Sequence, residues 1–292
     1  MSESNEMPPT AVVTGGNSGI GLAVAEALGK KGHRVWIAGR NAKKGGAAVE
    51  RLRPCCPAGI EFLPLDVTLF AEIEQFVGKI KSQLGGRLDA LVHSTGVVNT
   101  KRVVSEDGLE EGWATQFLGR YLLTESLTPE LSNVEDGRVV FVSARPPKKP
   151  RLFEDDPSLE KHFTTFRAIA QNQSACALYE QMYSAEHPSG PAINGAVAGL
   201  VRDTGISRAQ PGFIRMANRA VFSVVGITPE QSAKNIVALA SDPALKGVSG
   251  YYFSKPQHLE KRRKLAYDEA QVTSLRRVLA RYAEIRSALL ST

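Results

Sequence analysis

The chain has 292 residues, of which 42% are hydrophobic and 23% are charged, and its formal net charge is +6. These values are typical of one large or two smaller globular α/β domains with a sizeable core. No window approaches eighteen consecutive apolar residues, and the first ten residues are acidic and polar, so we expect neither a transmembrane helix nor a secretory signal.

Cysteine usage and charge clusters indicate the compartment and narrow the classes of partner. The three cysteines, Cys55, Cys56 and Cys176, are an odd number, and the first two are adjacent, which makes a disulfide between them difficult. We therefore expect a reducing, cytoplasmic location. The clearest basic cluster, EKRRKL at 260–265, is predicted to be the solvated face of a helix rather than a nucleic-acid patch.

Along the chain, short apolar runs alternate with longer segments of helical periodicity. The predicted strands are 11–14, 34–38, 61–67, 89–93 and 138–143, with two more near PAINGAV at 191–197 and GYYF at 250–253. The segments with apolar residues three and four positions apart are 21–32, 43–53 and 69–84. This alternation, without internal repeats or Gly-, Ser- or Pro-rich linkers, predicts a single doubly wound Rossmann-type α/β domain over 1–292, with a parallel sheet of about seven strands.

The C-terminal part of the chain, about 256–292, is predicted to be a helical extension of this domain. Between about 258 and 290, apolar residues recur at helical spacing, namely at Val272, Leu275, Leu279, Tyr282 and Ile285. We expect this stripe to dock on the body of the domain or on a second subunit.

A glycine-rich segment, TGGNSGIG at 14–21, follows the first predicted strand and leads into a helix. Glycines there allow a tight turn and a close approach to a pyrophosphate, and the free N–H groups at the helix start favour an anion. The strand before it and the helix after it make the pattern more specific than glycines alone. The residues predicted to bind the dinucleotide in this loop are Thr14, Gly15, Asn17, Ser18, Gly19, Ile20 and Gly21.

The end of the second predicted strand indicates which dinucleotide is bound. The sequence AGRN at 38–41 offers no Asp or Glu for a ribose 2′-hydroxyl, but it places Arg40 there, with Lys43 and Lys44 close behind. A guanidinium group suits a 2′-phosphate, so the pattern predicts NADP(H) rather than NAD(H). The alternative is a surface arginine beside an unrelated loop.

Several further segments complete a resemblance to a known family. TGGNSGIG, LDV at 65–67, RVVFVSA at 138–144, FLGRYLLT at 117–124 and SDPALKGVSGYYF at 241–253 resemble short-chain dehydrogenases/reductases, above all the branch of retinol-dehydrogenase-like and WW-domain-oxidoreductase-like enzymes. The resemblance covers nearly the whole chain. It implies that Asp66 and Val67 contact the adenine and that Gly96, in HSTG at 93–96, lies against the cofactor.

The same resemblance implies that the catalytic residues of the family are replaced. The family uses a Ser, a Tyr, a Lys four residues after the Tyr, and a supporting Asn. Here the aligned residues are Ala144 (after Ser143), Ile169, Gln173 and Gln116. Isoleucine donates no proton and glutamine carries no charge, although Gln116 and Gln173 retain hydrogen-bonding capacity and Gln173 could reach a nicotinamide ribose.

Three functions follow as alternatives. The leading one is a repurposed enzyme that binds NADP(H) and a small hydrophobic molecule and promotes cyclisation, isomerisation or elimination without net hydride transfer. The second is an NADPH-dependent oxidoreductase of an activated C=N or C=C bond with substitute donors, for which His93 and Arg145 are candidates; the ordinary alternatives are a strand-end histidine and a surface-loop arginine. The third is a regulatory protein that binds NADP(H) without turnover. The candidate catalytic residues are Gln116, Ser143, Arg145, Gln173 and His93; no metal site is expected, and a homodimer or homotetramer is possible in this family.

The helix expected to carry these positions has an unusual composition. AIAQNQSACALY at 168–179 contains no residue that is charged at neutral pH. Helical periodicity places Ile169, Gln173 and the pair Cys176 and Ala177 on one face. We predict that this face lines the site.

Overall fold

A computed structural model describes residues 7–202, 226–264 and 267–292. The strands are β1 Thr10–Thr14, β2 Arg34–Gly39, β3 Ile60–Pro64, β4 Ala90–His93, β5 Arg138–Ser143, β6 Ala192–Val197, β7 Tyr251–Phe253 and β8 Arg262–Arg263. The helices are α1 Gly19–Lys30, α2 Ala42–Leu52, α3 Phe70–Leu84, α4 Glu111–Trp113, α5 Gly119–Ser132, α6 Thr165–Glu186, α7 Pro229–Ser241, α8 Glu269–Ala280 and α9 Ala283–Ser291.

The strands form one sheet in the order β3-β2-β1-β4-β5-β6-β7-β8. The first seven are mutually parallel, and β8 pairs antiparallel with β7 through Tyr252 opposite Arg263 and Phe253 opposite Arg262. The strand order reverses between β1 and β4, which opens a crevice at the carboxyl edge of the sheet, where ligands of such folds bind. The predicted Rossmann-type domain is confirmed, with an eighth strand added to the expected seven.

The core lies in two layers because successive residues of a strand point to opposite faces of the sheet. In β1, Val12 packs into the layer formed with α3, α5, α6, α8 and α9, whereas Ala11 and Val13 pack into the layer formed with α1, α2 and α7. Every residue of β1 is buried. Strands covered on both faces therefore read as continuous apolar runs, as they do in this sequence.

Two helices at the end of the described chain cover the outer face of α5 and α6. Helix α8 packs against α6, and α9 packs against α5 and α3. Four residues of the predicted stripe, Val272, Leu275, Leu279 and Tyr282, are buried, and Ile285 is partly buried against the same layer. The stripe therefore docks on the body of its own chain. Glu125 of α5 accepts hydrogen bonds from Tyr179 Oη at 2.8 Å and from Arg286 Nε at 2.8 Å, which ties α9 to both core helices.

The basic segment at 260–265 corrects one prediction. It does not form a helix over its described residues, because Arg262 and Arg263 form the edge strand β8, and the helices of the extension begin only at Glu269. The Arg262 guanidinium lies 5.1 Å from the centre of the Tyr251 ring, a cation–π contact that favours the extended backbone. Leu265 and residues 1–6 of the polar N-terminus lie outside the described residues.

Residues 111–132 form one continuous helical path with a local irregularity. Helix α4 passes into a π turn over Ala114–Leu118, and α5 follows without a break, since the linking residues Trp113 and Leu118 keep right-handed helical dihedral angles. Such π turns contain one extra residue and are frequent at functional sites. Within the described residues, no helix is long and apolar enough to cross a membrane.

Candidate functional site

The glycine-rich loop between β1 and α1 leaves room for an anionic ligand. Gly15 has a φ of +70° and its N–H donates to Ala38 O at 2.8 Å, and a methyl group added to Gly15 would come within 3.0 Å of Ser94 O. A methyl group on Gly21 would overlap Gly15 O. Only glycine allows this close approach of backbone to backbone.

Hydrogen-bonding groups of this loop are left open toward the crevice. The Ser18 side chain makes no capping hydrogen bond in the described structure, and the first turn of α1 has no acidic residue. The buried Thr14 hydroxyl has no hydrogen-bond partner among the described residues. Unpaired first-turn N–H groups and the positive end of the helix dipole suit a phosphate, so the loop fits a pyrophosphate. Asn17 packs its amide against Gly39 at the end of β2.

Three charged residues meet at the far end of the crevice. Arg40 Nη1 lies 3.2 Å from Glu111 Oε1 and 3.7 Å from Asp66 Oδ2. Asp66 is fixed by hydrogen bonds from the Thr68 amide at 3.0 Å and the Thr68 hydroxyl at 2.8 Å. The predicted contact residue Val67 is buried, and Gly96, Lys43 and Lys44 are exposed.

A chain of amide hydrogen bonds joins Ala144, Gln173 and Gln116, the residues that the resemblance predicts at the serine, lysine and asparagine positions. Gln173 Oε1 accepts from the Ala144 amide at 2.9 Å, and Gln173 Nε2 donates to Gln116 Oε1 at 3.3 Å. Gln116 Nε2 in turn donates to Val97 O at 2.7 Å. The Cys176 thiol donates to Gln116 O at 3.1 Å. Gln173 is 3% exposed and Gln116 is 8% exposed, so both polar atoms of each amide are used inside the protein.

Helix α6 is buried on more than the predicted face. Gln173 and Cys176 point toward Gln116, as helical periodicity indicated. On the opposite side, Ser174 accepts from the Arg151 amide and Gln171 accepts from the Phe153 amide, both at 2.9 Å. The loop after β5 thus covers this side of the helix, which explains why its uncharged run extends around the whole circumference.

A shallow, partly open cleft lies beside Ile169. Its lining residues are Val97, Val98, Asn99, Glu110, Gly112, Gln116, Phe163, Thr165, Ala168, Ile169 and Asn172. Asn172 is only 1% exposed, and neither its Nδ2 nor its Oδ1 has a hydrogen-bond partner among the described residues. A buried amide without partners is costly, so this side chain is suited to a ligand or water that both donates and accepts.

Buried charges lie beneath the amide chain. The Arg120 guanidinium donates from Nη1 to Val142 O at 2.9 Å and from Nη2 to Thr95 O, so it links the ends of β4 and β5. Burial lowers the pKa of Arg120. Burial also raises the pKa of Glu180, on the next turns of α6, to about 8, although the charge of Arg120 acts in the opposite direction. A methyl group on Gly195 of β6 would meet the Glu180 carboxylate at 2.6 Å.

The two candidate substitute donors occupy different environments. His93 is fully buried, its Nε2 lies 3.0 Å from Thr124 Oγ1, and its ring packs against Phe141 at 4.8 Å. Burial holds the pKa of His93 well below its ordinary value, so the ring is neutral at neutral pH. Arg145 is exposed at the end of β5, where its charge opposes the rise in the pKa of Tyr252 that burial causes. Ser143 is half-buried, and its carbonyl accepts from the Ala198 amide at 3.0 Å.

Sequence reasoning missed Glu111, Asn172 and Arg120. Arg120 had a signal, since a lone arginine between apolar residues in FLGRYLLT indicates a buried, hydrogen-bonded charge. Glu111 had none, because its contact with Arg40 spans 71 positions of the chain. Within 7–202, 226–264 and 267–292, no group of three or more His, Cys, Asp or Glu residues is arranged to hold a metal ion.

Comparison with known proteins agrees with this architecture. The family model for short chain dehydrogenase matches residues 9–152. Dehydrogenase/reductase SDR family member 12 of Bos taurus is 32% identical over 257 residues, which span 85% of this chain and 78% of the relative. The chain belongs to the short-chain dehydrogenase/reductase family. Polyprenol dehydrogenase of Mus musculus is 32% identical over 258 residues, which span 84% of this chain and 76% of the relative.

Solved structures of this family share the fold. A short chain dehydrogenase from Shigella flexneri, complexed with NADP, is 19% identical, has a TM-score of 0.64, and covers 84% of this chain and 95% of its own. An uncharacterized protein from Mycobacterium paratuberculosis is 20% identical, has a TM-score of 0.68, and covers 98% of this chain and 96% of its own. Both solved structures thus share the fold of this chain.

Proposed function

We propose that this family member binds NADP(H) and acts on a small hydrophobic molecule by cyclisation, isomerisation or elimination, without net hydride transfer. The observation that carries the proposal is the hydrogen bonding of Gln173. Both of its polar atoms are held by Ala144 and Gln116, so the position that carries the family's lysine acts as an internal strut. The predicted contact of Gln173 with a nicotinamide ribose would have to use the second Nε2 hydrogen or the second acceptor site of Oε1.

The glycine-rich loop supports nucleotide binding in this proposal. The open N–H groups after Ser18 and the unpaired Thr14 hydroxyl would hold the pyrophosphate, and Arg40 would face the 2′-position of the adenosine ribose. When bound, the nicotinamide ring supplies hydride donor or acceptor chemistry. We infer that in this chain the nucleotide mainly orders the site.

The lost proton donor argues against ordinary ketone–alcohol interconversion. A positioned acid is typically worth ~10²–10⁴-fold in rate, or about 3–5 kcal/mol of barrier. Ile169, at the family's tyrosine position, lines the cleft with an alkyl side chain. The nearest phenols along α6, Tyr179 and Tyr183, are fully buried and face Glu125 and Thr128. Shape and oriented amides are the catalytic means that remain.

The cleft indicates the class of substrate. Its lining combines the apolar side chains Val97, Val98, Phe163 and Ile169 with the Asn172 amide, which has no partner among the described residues, and this combination supports a ligand with an apolar part and a hydroxyl or carbonyl group. The name of the mouse relative, polyprenol dehydrogenase, denotes a long-chain isoprenoid alcohol as its substrate. We therefore propose a lipophilic alcohol, aldehyde or ketone as ligand. A homodimer or homotetramer and a cytoplasmic location stay predictions.

A second candidate is an NADPH-dependent oxidoreductase of an activated C=N or C=C bond. It is favoured by the dehydrogenase names of the relatives and by the exposed Arg145 at the end of β5, which could hold a developing negative charge. His93 is less suited to this role, because it is buried, neutral and bonded to Thr124.

The experiment that separates the two functions follows nicotinamide absorbance and product mass together. Purified protein is incubated with NADPH or NADP⁺ and a panel of isoprenoid alcohols, enones and imines, and products are analysed by liquid chromatography and mass spectrometry. A product of unchanged mass, or of a mass lowered by an eliminated group such as water, supports the leading function if it forms without an absorbance change and its yield falls in Asn172→Leu. Stoichiometric oxidation or reduction of the nucleotide would refute it in favour of the second.

A further inference from the structure

The guanidinium group of Arg40 is shared between two carboxylates. Its Nη1 lies 3.2 Å from Glu111 Oε1 and 3.7 Å from Asp66 Oδ2. Arg40 is 60% exposed, whereas the Asp66 and Glu111 side chains are 19% and 18% exposed. The arginine that follows β2 therefore does not face the crevice as an isolated positive charge.

Glu111 is held in this position by contacts on its own side of the crevice. Its Oε2 accepts from Asn99 Nδ2 at 2.8 Å, and its backbone N–H donates to Val103 O at 2.9 Å. Asn99 is itself fixed, since its carbonyl accepts from the Thr165 hydroxyl at 2.9 Å. A carboxylate that is held through Oε2 and through its own backbone is already positioned, so its bond to Arg40 through Oε1 costs little side-chain entropy.

The three side chains come from three different parts of the sheet edge. Arg40 follows β2, Asp66 follows β3, and Glu111 begins the helical path that follows β4. Because the strand order is β3-β2-β1-β4, the contact between Arg40 and Glu111 crosses the end of β1 and the crevice between them. Glu111 therefore acts at the end of the nucleotide site that faces the adenosine ribose.

The charges around Arg40 favour different nucleotides. One guanidinium and two carboxylates together carry a net charge of −1. A 2′-phosphate would add up to two negative charges to this group, and it would have to compete with Glu111 for Arg40. A neutral 2′-hydroxyl can instead donate a hydrogen bond to a carboxylate, as in family sites where an acidic residue selects NAD(H). Glu111 thus opposes the preference that Arg40 confers.

We propose that Glu111 is a specificity-determining residue that weakens the selection of NADP(H) over NAD(H) at this site. The inference rests on the proposed function, in that it requires a nucleotide in the crevice. The neutral isostere Glu111→Gln keeps an oxygen acceptor for Asn99 and removes the negative charge. It should tighten NADPH binding about fivefold and change NADH binding less than twofold, as expected for a partly exposed charge.

The test measures the dissociation constants of NADPH and NADH by isothermal titration calorimetry. The variants are Glu111→Gln, Arg40→Ala and the control Glu106→Gln, which removes the same charge from an exposed position of the preceding loop. The ratio of NADH to NADPH dissociation constants should fall in the order Glu111→Gln, wild type, Arg40→Ala. The control should match the wild type, and the effect of Glu111→Gln should shrink at high salt.

Two negative results have different meanings. If the wild type binds NADPH and Glu111→Gln leaves the NADH-to-NADPH ratio unchanged, the role of Glu111 is refuted while the proposed function stands. If the wild type binds neither nucleotide, the proposed cofactor is refuted, and the role of Glu111 with it. A melting temperature equal to that of the wild type excludes misfolding of the variant.

Discussion

The glycine-rich loop and the amide chain beneath α6 lie at the same edge of the sheet but treat their polar groups in opposite ways. Among the described residues, the loop leaves the Thr14 hydroxyl without a partner and the start of α1 without a side-chain cap. In the amide chain, Gln173 bonds to Ala144 and to Gln116, so its polar atoms have partners within the protein. Polar groups without a protein partner are available to a ligand, whereas paired polar groups stabilise the fold.

This difference indicates that nucleotide binding at the glycine-rich loop and catalysis at α6 have different structural requirements. A nucleotide can be held by backbone geometry alone, and that geometry is intact at Gly15 and Gly21. Carbonyl reduction also needs a proton donor and a fixed positive charge, and α6 offers neither at 169 or 173. The comparison therefore predicts that binding and family-type turnover can be changed independently.

The largest effect is expected from restoring the family's residues. The variant Ala144→Ser/Ile169→Tyr/Gln173→Lys should gain NADPH-dependent reduction of lipophilic ketones by ~10²–10⁴-fold over the wild type, because it regains an acid and a charge. Nicotinamide absorbance measures the rate. The same variant with Phe instead of Tyr at 169 is the control, since it adds the ring without the hydroxyl. A folded, NADPH-binding triple variant with no gain would contradict the role assigned to these positions.

The next effect concerns the open half of the site. Gly21→Ala should weaken NADPH binding by about tenfold to a hundredfold, because the added methyl group overlaps Gly15 O and displaces the loop. Gly46→Ala is a matched control. Gly46 lies in α2, and a methyl group added to it meets nothing within 4 Å. It should leave binding unchanged and stabilise the helix by about 0.8–1.0 kcal/mol. Equal nucleotide affinity in both variants would show that the loop is not the phosphate site.

A smaller effect is expected from opening the closed half. Gln173→Leu leaves the Ala144 amide and Gln116 Oε1 unpaired, so the free energy of unfolding should fall by about 1–3 kcal/mol. Combining it with Gln116→Leu should cost less than the sum of the two single changes, because the partners are coupled. Urea denaturation measures all three variants. Strict additivity would show that the amides do not act as one chain.

The last prediction concerns the pH dependence of stability. Burial raises the pKa of Glu180 to about 8, so between about pH 4.5 and pH 8 the folded state keeps a proton that the unfolded state has lost. The stability from this group is fully present below that window and is lost as the pH rises through it. Glu180→Gln should therefore flatten the fall in melting temperature between about pH 5 and pH 8. An unchanged slope would mean that Glu180 is ionised in the fold.

The sequence predicted the strands and the glycine-rich loop because both depend on local patterns. Apolar runs such as 11–14 are buried on both faces, and the loop lies between a strand and a helix as its spacing indicated. Strand β8 itself was missed, since its basic residues pair with β7 through backbone bonds and a cation–π contact. Charge alone does not distinguish an edge strand from a solvated helix.

The candidate site was harder to predict because its contacts are distant in the chain. Arg40 was predicted as a nucleotide contact from its place after β2, but its ion pair with Glu111 joins residues 71 positions apart in the chain. Gln173 and Gln116 were expected to retain hydrogen-bonding capacity, yet their mutual bond was not foreseen. A resemblance to a family aligns positions; it does not show which partner each new side chain finds.

The π turn over Ala114–Leu118 determines the direction in which the Gln116 side chain points from the helix. A π turn is an α-helix with one residue inserted, and each inserted residue rotates everything before it by about 100° around the helix axis. Deleting one residue of the turn would restore a regular helix while leaving the apolar stripe of α5 in register with the core. If the deleted residue follows Gln116, both Glu111 and Gln116 would rotate away from Arg40 and α6, so one irregularity of the helix sets the orientation of both side chains.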